Sequence, residues 1–140
     1  VATFYIGASS NDGQKEDGGS WSYTDSDLWF GHGSFAVNYT MGLRFSSVNI
    51  PKSSTINSAT LKGYLSSFGI PSGTLRTKVY GIDEDNTANF TSDPTGRTKT
   101  TAAVDWDIAS ESDPITSPSI ISILQEIVNR AGWSSGNSLG

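Results

Sequence analysis

The stretch AVNYTMGLRF, residues 36–45, constrains the fold more than any other part of the chain. Val37, Tyr39, Met41, Leu43 and Phe45 alternate with smaller or polar residues, which is the two-residue period of a strand with one buried face. A helix would scatter these five side chains around its circumference. A strand lines them up on one side, and that side needs a second layer to cover it.

The same period recurs along the chain. INSATLKGYL places Ala59, Leu61, Gly63 and Leu65 on one face, and the turn GIPSG hands over to TLRTKVYGI, which reads as its antiparallel partner. TTAAVDW alternates Ala102, Val104 and Trp106, while ATFYI at the start and DLWFGH around Trp29 supply two further strands. The polar stretch 9–26 and the loops 83–97 and 107–117 read as surface. One segment departs from the pattern: in SPSIISILQEIVNRAG, residues Ile120, Ile121, Leu124, Ile127 and Val128 recur at helical spacing. This predicts a helix over 118–131, with Ser117 as N-cap, Pro118 at the first helical position, Arg130 in the last turn and Gly132 as C-cap. Six strands and one late helix predict an all-β fold, an antiparallel jelly-roll-type β-sandwich in a single domain, 1–140. Jelly rolls commonly use about eight strands, so this count falls short.

Charge and composition exclude several functions. The net charge is −5, and the nine Lys and Arg stand singly between Lys15 and Arg130, so no basic stripe exists to neutralise a row of phosphates and nucleic acid is not an expected partner. No apolar run approaches the roughly 18–20 residues of a membrane span. With no cysteine and one histidine, His32, thiol catalysis and clustered-histidine metal sites are closed. GWSSG, residues 132–136, matches the G-x-S-x-G nucleophile elbow, but it follows a helix rather than a strand, and His32 lies upstream of it. It reads as a helix end and a turn, and the chain as a non-enzyme. Serine and threonine fill 37 of the 140 positions, which suits short strands, many turns and a hydrated exterior.

Three groups of residues are candidates for binding. GIDEDNT places Asp83, Asp85 and Asn86, with Glu84 between them, directly after a strand, where calcium could collect the oxygen ligands it needs; a solvated acidic turn explains the same residues without metal. Asp12, Asp17, Asp25 and Asp27 are lesser candidates. Trp21, Tyr23 and Trp29 lie close together in the chain and could stack on sugar rings, although buried aromatics are the ordinary contents of a sandwich core. Two N-glycosylation acceptors occur, Asn38-Tyr39-Thr40 and Asn89-Phe90-Thr91. Asn89 falls in a polar loop, and Asn38 on the strand face opposite the odd-numbered core residues.

Taken together, MGLRFSSVNIPKSSTINSATLKGYL, TKVYGIDEDN, RTKTTAAVDW and SPSIISILQEIVNRAGWSSGNSL resemble the jelly-roll modules of tailed-phage virion proteins and of bacterial surface or secreted proteins, near the DNRLRE-type sandwich domains. The likeness covers about residues 36–139, and ILQEIVNRAGWSSGN is its most specific part. It implies an extracellular, non-catalytic module that builds, decorates or attaches. The literal DNRLRE string is absent, so the polysaccharide binding of some relatives carries over to no residue here. In that family further strands follow the helix and turn, and Asn137, Ser138 and Leu139 read as the opening of one. A sandwich lacking a strand leaves an open groove that a neighbour's extended segment can fill. VATFYI, with Phe4, Tyr5 and Ile6, has the composition of such a donor, so that residues 1–7 are the candidate donor strand and 8–140 the sandwich body. Head-to-tail exchange of this kind is heterologous and grows into a filament. The expected function is therefore an extracellular structural protomer, glycosylated at its sequons, whose partners are copies of itself. The alternative is a carbohydrate-binding or host-attachment module of a phage virion or secreted protein.

Overall fold

A computed structural model describes residues 1–32, 37–65, 74–109 and 113–140. Within them lie β1 (Asp12–Glu16), β2 (Trp21–Ser22), β3 (Gly31–His32), β4 (Asn38–Leu43), β5 (Lys62–Gly63), β6 (Leu75–Ile82), β7 (Lys99–Ile108), β8 (Ile115–Thr116) and α1 (Ile121–Val128). All strand pairs are antiparallel, in the orders β2-β1-β4-β3, β5-β8 and β6-β7. The chain is thus an all-β fold of several antiparallel sheets with one C-terminal helix.

The expected alternation is present where it was clearest. On β4 Tyr39, Met41 and Leu43 are half-buried while Asn38 and Thr40 are exposed; on β7 Ala102, Val104, Trp106 and Ile108 turn inward between exposed neighbours. Ala59, Leu61, Gly63 and Leu65 also share an inner face, yet only Lys62–Gly63 is strand. The pairing differs from expectation: β5 pairs with β8, and β6 with β7 from Leu75↔Ile108 to Ile82↔Lys99. The GIPSG turn lies outside the described residues.

The stretch 9–26 is not a surface loop. After a 3-10 turn at Ser9–Asn11, DGQKE forms β1, an inner strand of the four-stranded sheet, pairing Asp12↔Leu43 through Glu16↔Tyr39 on one side and Gln14↔Ser22 and Lys15↔Trp21 on the other. No apolar period announces it. Its inward position is Gly13, over which the Trp21 ring lies so closely that a Cβ would collide with it. Nor is 83–97 all surface, because Thr87 and Phe90 are fully buried. In 107–117, Ile108 and Ile115 join Trp106 in a second apolar cluster.

Helix α1 is shorter than the predicted 118–131. Ser117 is buried and does not cap it: the Leu61 N–H donates to Ser117 Oγ (2.9 Å), and the Ser117 N–H to the Leu61 carbonyl (2.9 Å). The side chain that would cap the helix ties residue 117 to residue 61 instead, and the helix begins after Ile120. It ends at Asn129, leaving Arg130 and Gly132 beyond it. The core is built on α1 and the following turn, from Val48, Ile120, Ile123, Ile127, Val128 and Trp133. Helix α1 packs on β7 and β6, where Gly81 lets Ile123 and Ile127 approach the backbone; a Cβ there would stand 2.8 Å from both. The GWSSG segment is a turn whose Trp133 is buried, its Nε1–H donating to the Ile50 carbonyl at 2.9 Å.

Residues 1–7 form no strand within this chain. They make no hydrogen bond among the described residues, and their burial alternates from Phe4 onward: Phe4 and Ile6 are half-buried and Tyr5 is exposed. Phe4 rests against the α1 cluster.

Candidate functional site

The acidic turn after β6 is occupied by the protein's own groups. Arg130 donates from Nη1 to Asp83 Oδ1 and from Nε to Asp85 Oδ1 (2.8 Å). Those two hydrogen bonds, from Asp83 first, raise the arginine pKa further. Asn86 Oδ1 accepts the Ser138 N–H (2.8 Å), and Asn137 Nδ2 donates to the Asp85 carbonyl (2.9 Å). Gly132 lies against Asp85 with no room for a Cβ. The turn therefore fastens the chain after α1 to the end of β6. Among the described residues no group of three or more His, Cys, Asp and Glu gathers as a metal site.

The three aromatics have separate surroundings. Trp21 is half-buried, meets Phe90 edge-on at 6.1 Å between ring centroids, and donates from Nε1 to the Phe90 carbonyl (2.7 Å). Trp29 keeps 43% of its surface exposed and lies against Tyr39 at 6.0 Å. Tyr23 is half-buried between them in the chain. Of the sequons, Asn89 is exposed, its Oδ1 accepting from the Thr91 hydroxyl (3.0 Å). Asn38 is exposed too, and its Nδ2 donates to Asp17 Oδ2 (3.0 Å). The His32 side chain lies outside the described parts of the structure.

Another feature of the fold is one that no sequence motif marks. Residues 137–140 run between two strand ends. On one side Leu139 exchanges both backbone hydrogen bonds with Phe45, just beyond β4 (2.9 and 3.0 Å), and Asn137 accepts from the Val48 N–H (2.9 Å). On the other, Gly140 accepts from Ile82 at the end of β6 (2.8 Å), and Ser138 from Thr87 (2.9 Å). The space between β4 and β6 is therefore one strand wide at this end. Further along, it is empty of any described strand. β4 pairs with β1 on its far side and with β3 only at Asn38 and Tyr39; β6 pairs with β7 alone.

The edges of this slot can be read from strand alternation. Phe45 directs its N–H and C=O toward Leu139, so Leu43 and Met41 direct theirs the same way. Ile82 donates toward Gly140 while the Gly81 N–H turns to Thr100 Oγ1 on β7 (3.0 Å), and the pairing of β6 with β7 shifts register between Tyr80 and Ile82. Behind these edges lies an apolar cavity of about 440 Å³, whose walls include Met41, Leu43, Val79, Trp106, Ile123 and Leu124. At the far end Gly31 closes it, packed so tightly on Leu75 that no Cβ would fit.

No family model matches the chain, and comparison with curated proteins and with solved structures finds no match.

Proposed function

We propose that this chain is a non-enzymatic, extracellular structural protomer that self-assembles head to tail into a filament by strand complementation. The observation that carries this reading is the slot: two facing strand edges, one strand apart, that pair with no strand between them among the described residues, above an apolar cavity. Such an edge is a template for another chain.

The resemblance to DNRLRE-like jelly-roll modules belongs to this proposal, as do the extracellular placement and glycosylation at the exposed Asn89. Trp29, exposed beside Tyr39, favours one other reading, a glycan-binding or host-attachment module. Sedimentation and electron microscopy of the whole chain over rising concentration test the proposal. Polymers in one-dimensional growth are expected; monodisperse monomers at high concentration overturn it. Binding on a glycan array that Trp29→Ala removes without unfolding would shift the choice to the attachment module.

A further inference from the structure

We infer that Trp29 and Tyr39, with the Glu16 carboxylate at their edge, form a binding site for the neutral pyranose units of a hexose glycan. This goes beyond self-assembly and rests on the glycan-binding reading, to which it adds a set of residues and a class of sugar.

The exposure of Trp29 is built into the fold. Its backbone N–H donates to Gln14 Oε1 on β1, and Gln14 Nε2 donates to Asp25 Oδ2 (2.8 Å), so one β1 side chain ties down both ends of the segment 25–29. The next residue, Phe30, packs on Trp106 of the second apolar cluster, with 6.0 Å between ring centroids. Trp29 is thus anchored through its own backbone and through its neighbour, yet 43% of it stays in water. Tyr39 lies against it at 6.0 Å, with 36° between the ring planes. A ring held this way has already lost much of its freedom, so a ligand that covers it has little more to order.

Polar groups stand beside the rings. Glu16 is the partner of Tyr39 in the β1–β4 ladder. The Tyr39 hydroxyl donates to Glu16 Oε2 at 3.4 Å, a long bond that a ligand hydroxyl can replace with a shorter one. Glu16 and Asp25 are both exposed. An apolar ring surface flanked by acceptors is what a pyranose meets with its two kinds of group. Its weakly positive C–H face suits the negative face of an aromatic ring, and its hydroxyls donate to carboxylates in strong bonds.

Charge narrows the class of sugar. Glu16 and Asp25 are carboxylates, and Asp27 is exposed in the same segment. Lys15, the basic residue of β1, projects from the other face of that strand and pairs with Asp93 at 2.6 Å. Uronates, sialic acids and sulfated sugars would therefore bring like charge to like. A quaternary ammonium suits the charge, but such ligands are held in cages of rings, and two rings inclined at 36° make a shallow platform.

Native electrophoresis of the whole chain through gels holding hydroxyethylcellulose, galactomannan or hyaluronan tests the inference, with a polymer-free gel as reference and circular dichroism to check folding. Retardation by at least one neutral polymer is expected, weakened about tenfold in Trp29→Ala and also reduced in Glu16→Ala; should Trp29→Ala unfold, Glu16→Ala carries the test. Retardation that both variants keep in full puts the site elsewhere, and retardation by hyaluronan alone gives the wrong class of sugar. Either result overturns the inference while glycan binding stands. If no polymer retards the parent, both fall. Choline that shifts the tryptophan emission of the parent, while the neutral polymers leave its mobility unchanged, assigns the platform to a cation and overturns the inference as well.

Discussion

Replacing Phe90 with alanine tests whether the loop 83–97 is structural. Phe90 is fully buried. Its ring meets Trp21 edge-on at 6.1 Å and lies 5.5 Å beneath the Arg97 guanidinium, and Gly42 opens the space it occupies, since a Cβ there would stand 3.2 Å from the ring. The backbone bonds at this residue, from Trp21 Nε1 to its carbonyl and from its N–H to Ser10, survive the substitution. What is lost is the ring alone. A Phe→Ala change in a core costs about 3–5 kcal/mol through lost transfer energy and the cavity left behind. The edge-on aromatic pair places this site near the middle of that range, about 4 kcal/mol. For a domain of this size each kcal/mol moves Tm by about 3 °C, so Phe90→Ala is expected to melt about 12 °C below the parent, followed by circular dichroism at neutral pH. Trp21 loses its ring partner, so its fluorescence should shift to the red. A loss under about 1 kcal/mol would refute the reasoning and return 83–97 to the status of a solvated loop.

The Thr87 hydroxyl is buried with no hydrogen-bond partner among the described residues, so Thr87→Val is expected to stabilise by about 1 kcal/mol, read as a Tm rise of about 3 °C. Burial alone would raise the Asp93 carboxyl, but hydrogen bonds from the Lys15 ammonium (2.6 Å), the Thr95 hydroxyl and the Thr95 N–H outweigh it and hold the pKa down to about 2. Because the folded value lies below the unfolded one, this contribution is present above pH 4 and lost as pH falls through about 2; the Tm gap between the parent and Asp93→Asn should close over that window, and a gap unchanged at pH 2 would contradict it. Calcium at Asp83, Asp85 and Asn86 must displace Arg130, so added calcium should raise the Tm of Arg130→Ala more than that of the parent; equal shifts would place any bound ion elsewhere.

How much of this was legible in the sequence depended on whether an element carries its own apolar period. β4, β7 and the body of α1 do, and they stand where the periodicity put them. β1 does not: DGQKE owes its strand to pairing with β4 and to Trp21 lying over Gly13 and Gly42, neither of which is local. The helix start was misplaced because a serine before a proline can satisfy distant backbone as well as a cap, and Ser117 bonds Leu61. The arginine that enters the acidic turn is not legible from the turn itself, because it lies 45 residues away from Asp85. The slot was the least legible feature. Its two edges belong to strands far apart in the sequence, and each reads as an ordinary strand on its own. The gap between them exists only in their arrangement.

That arrangement also bears on how a chain with exposed strand edges avoids indiscriminate pairing. A long free edge accepts almost any extended segment. Here the exposed part of β4 is short, bounded by Phe45, which Leu139 occupies, and by Tyr39, which Gly31 occupies, leaving residues 40–43, about 14 Å. On β6 the Lys78 ammonium, paired with Asp105 at 3.0 Å, stands on the outer face of the edge. A segment that pairs here must carry apolar residues two apart and bury them in the cavity behind Met41 and Leu43 to offset the entropy of ordering. On the strand-complementation reading the cavity supplies the affinity. Shortening the donor should therefore weaken assembly gradually, whereas a charge at position 4 or 6 should abolish it.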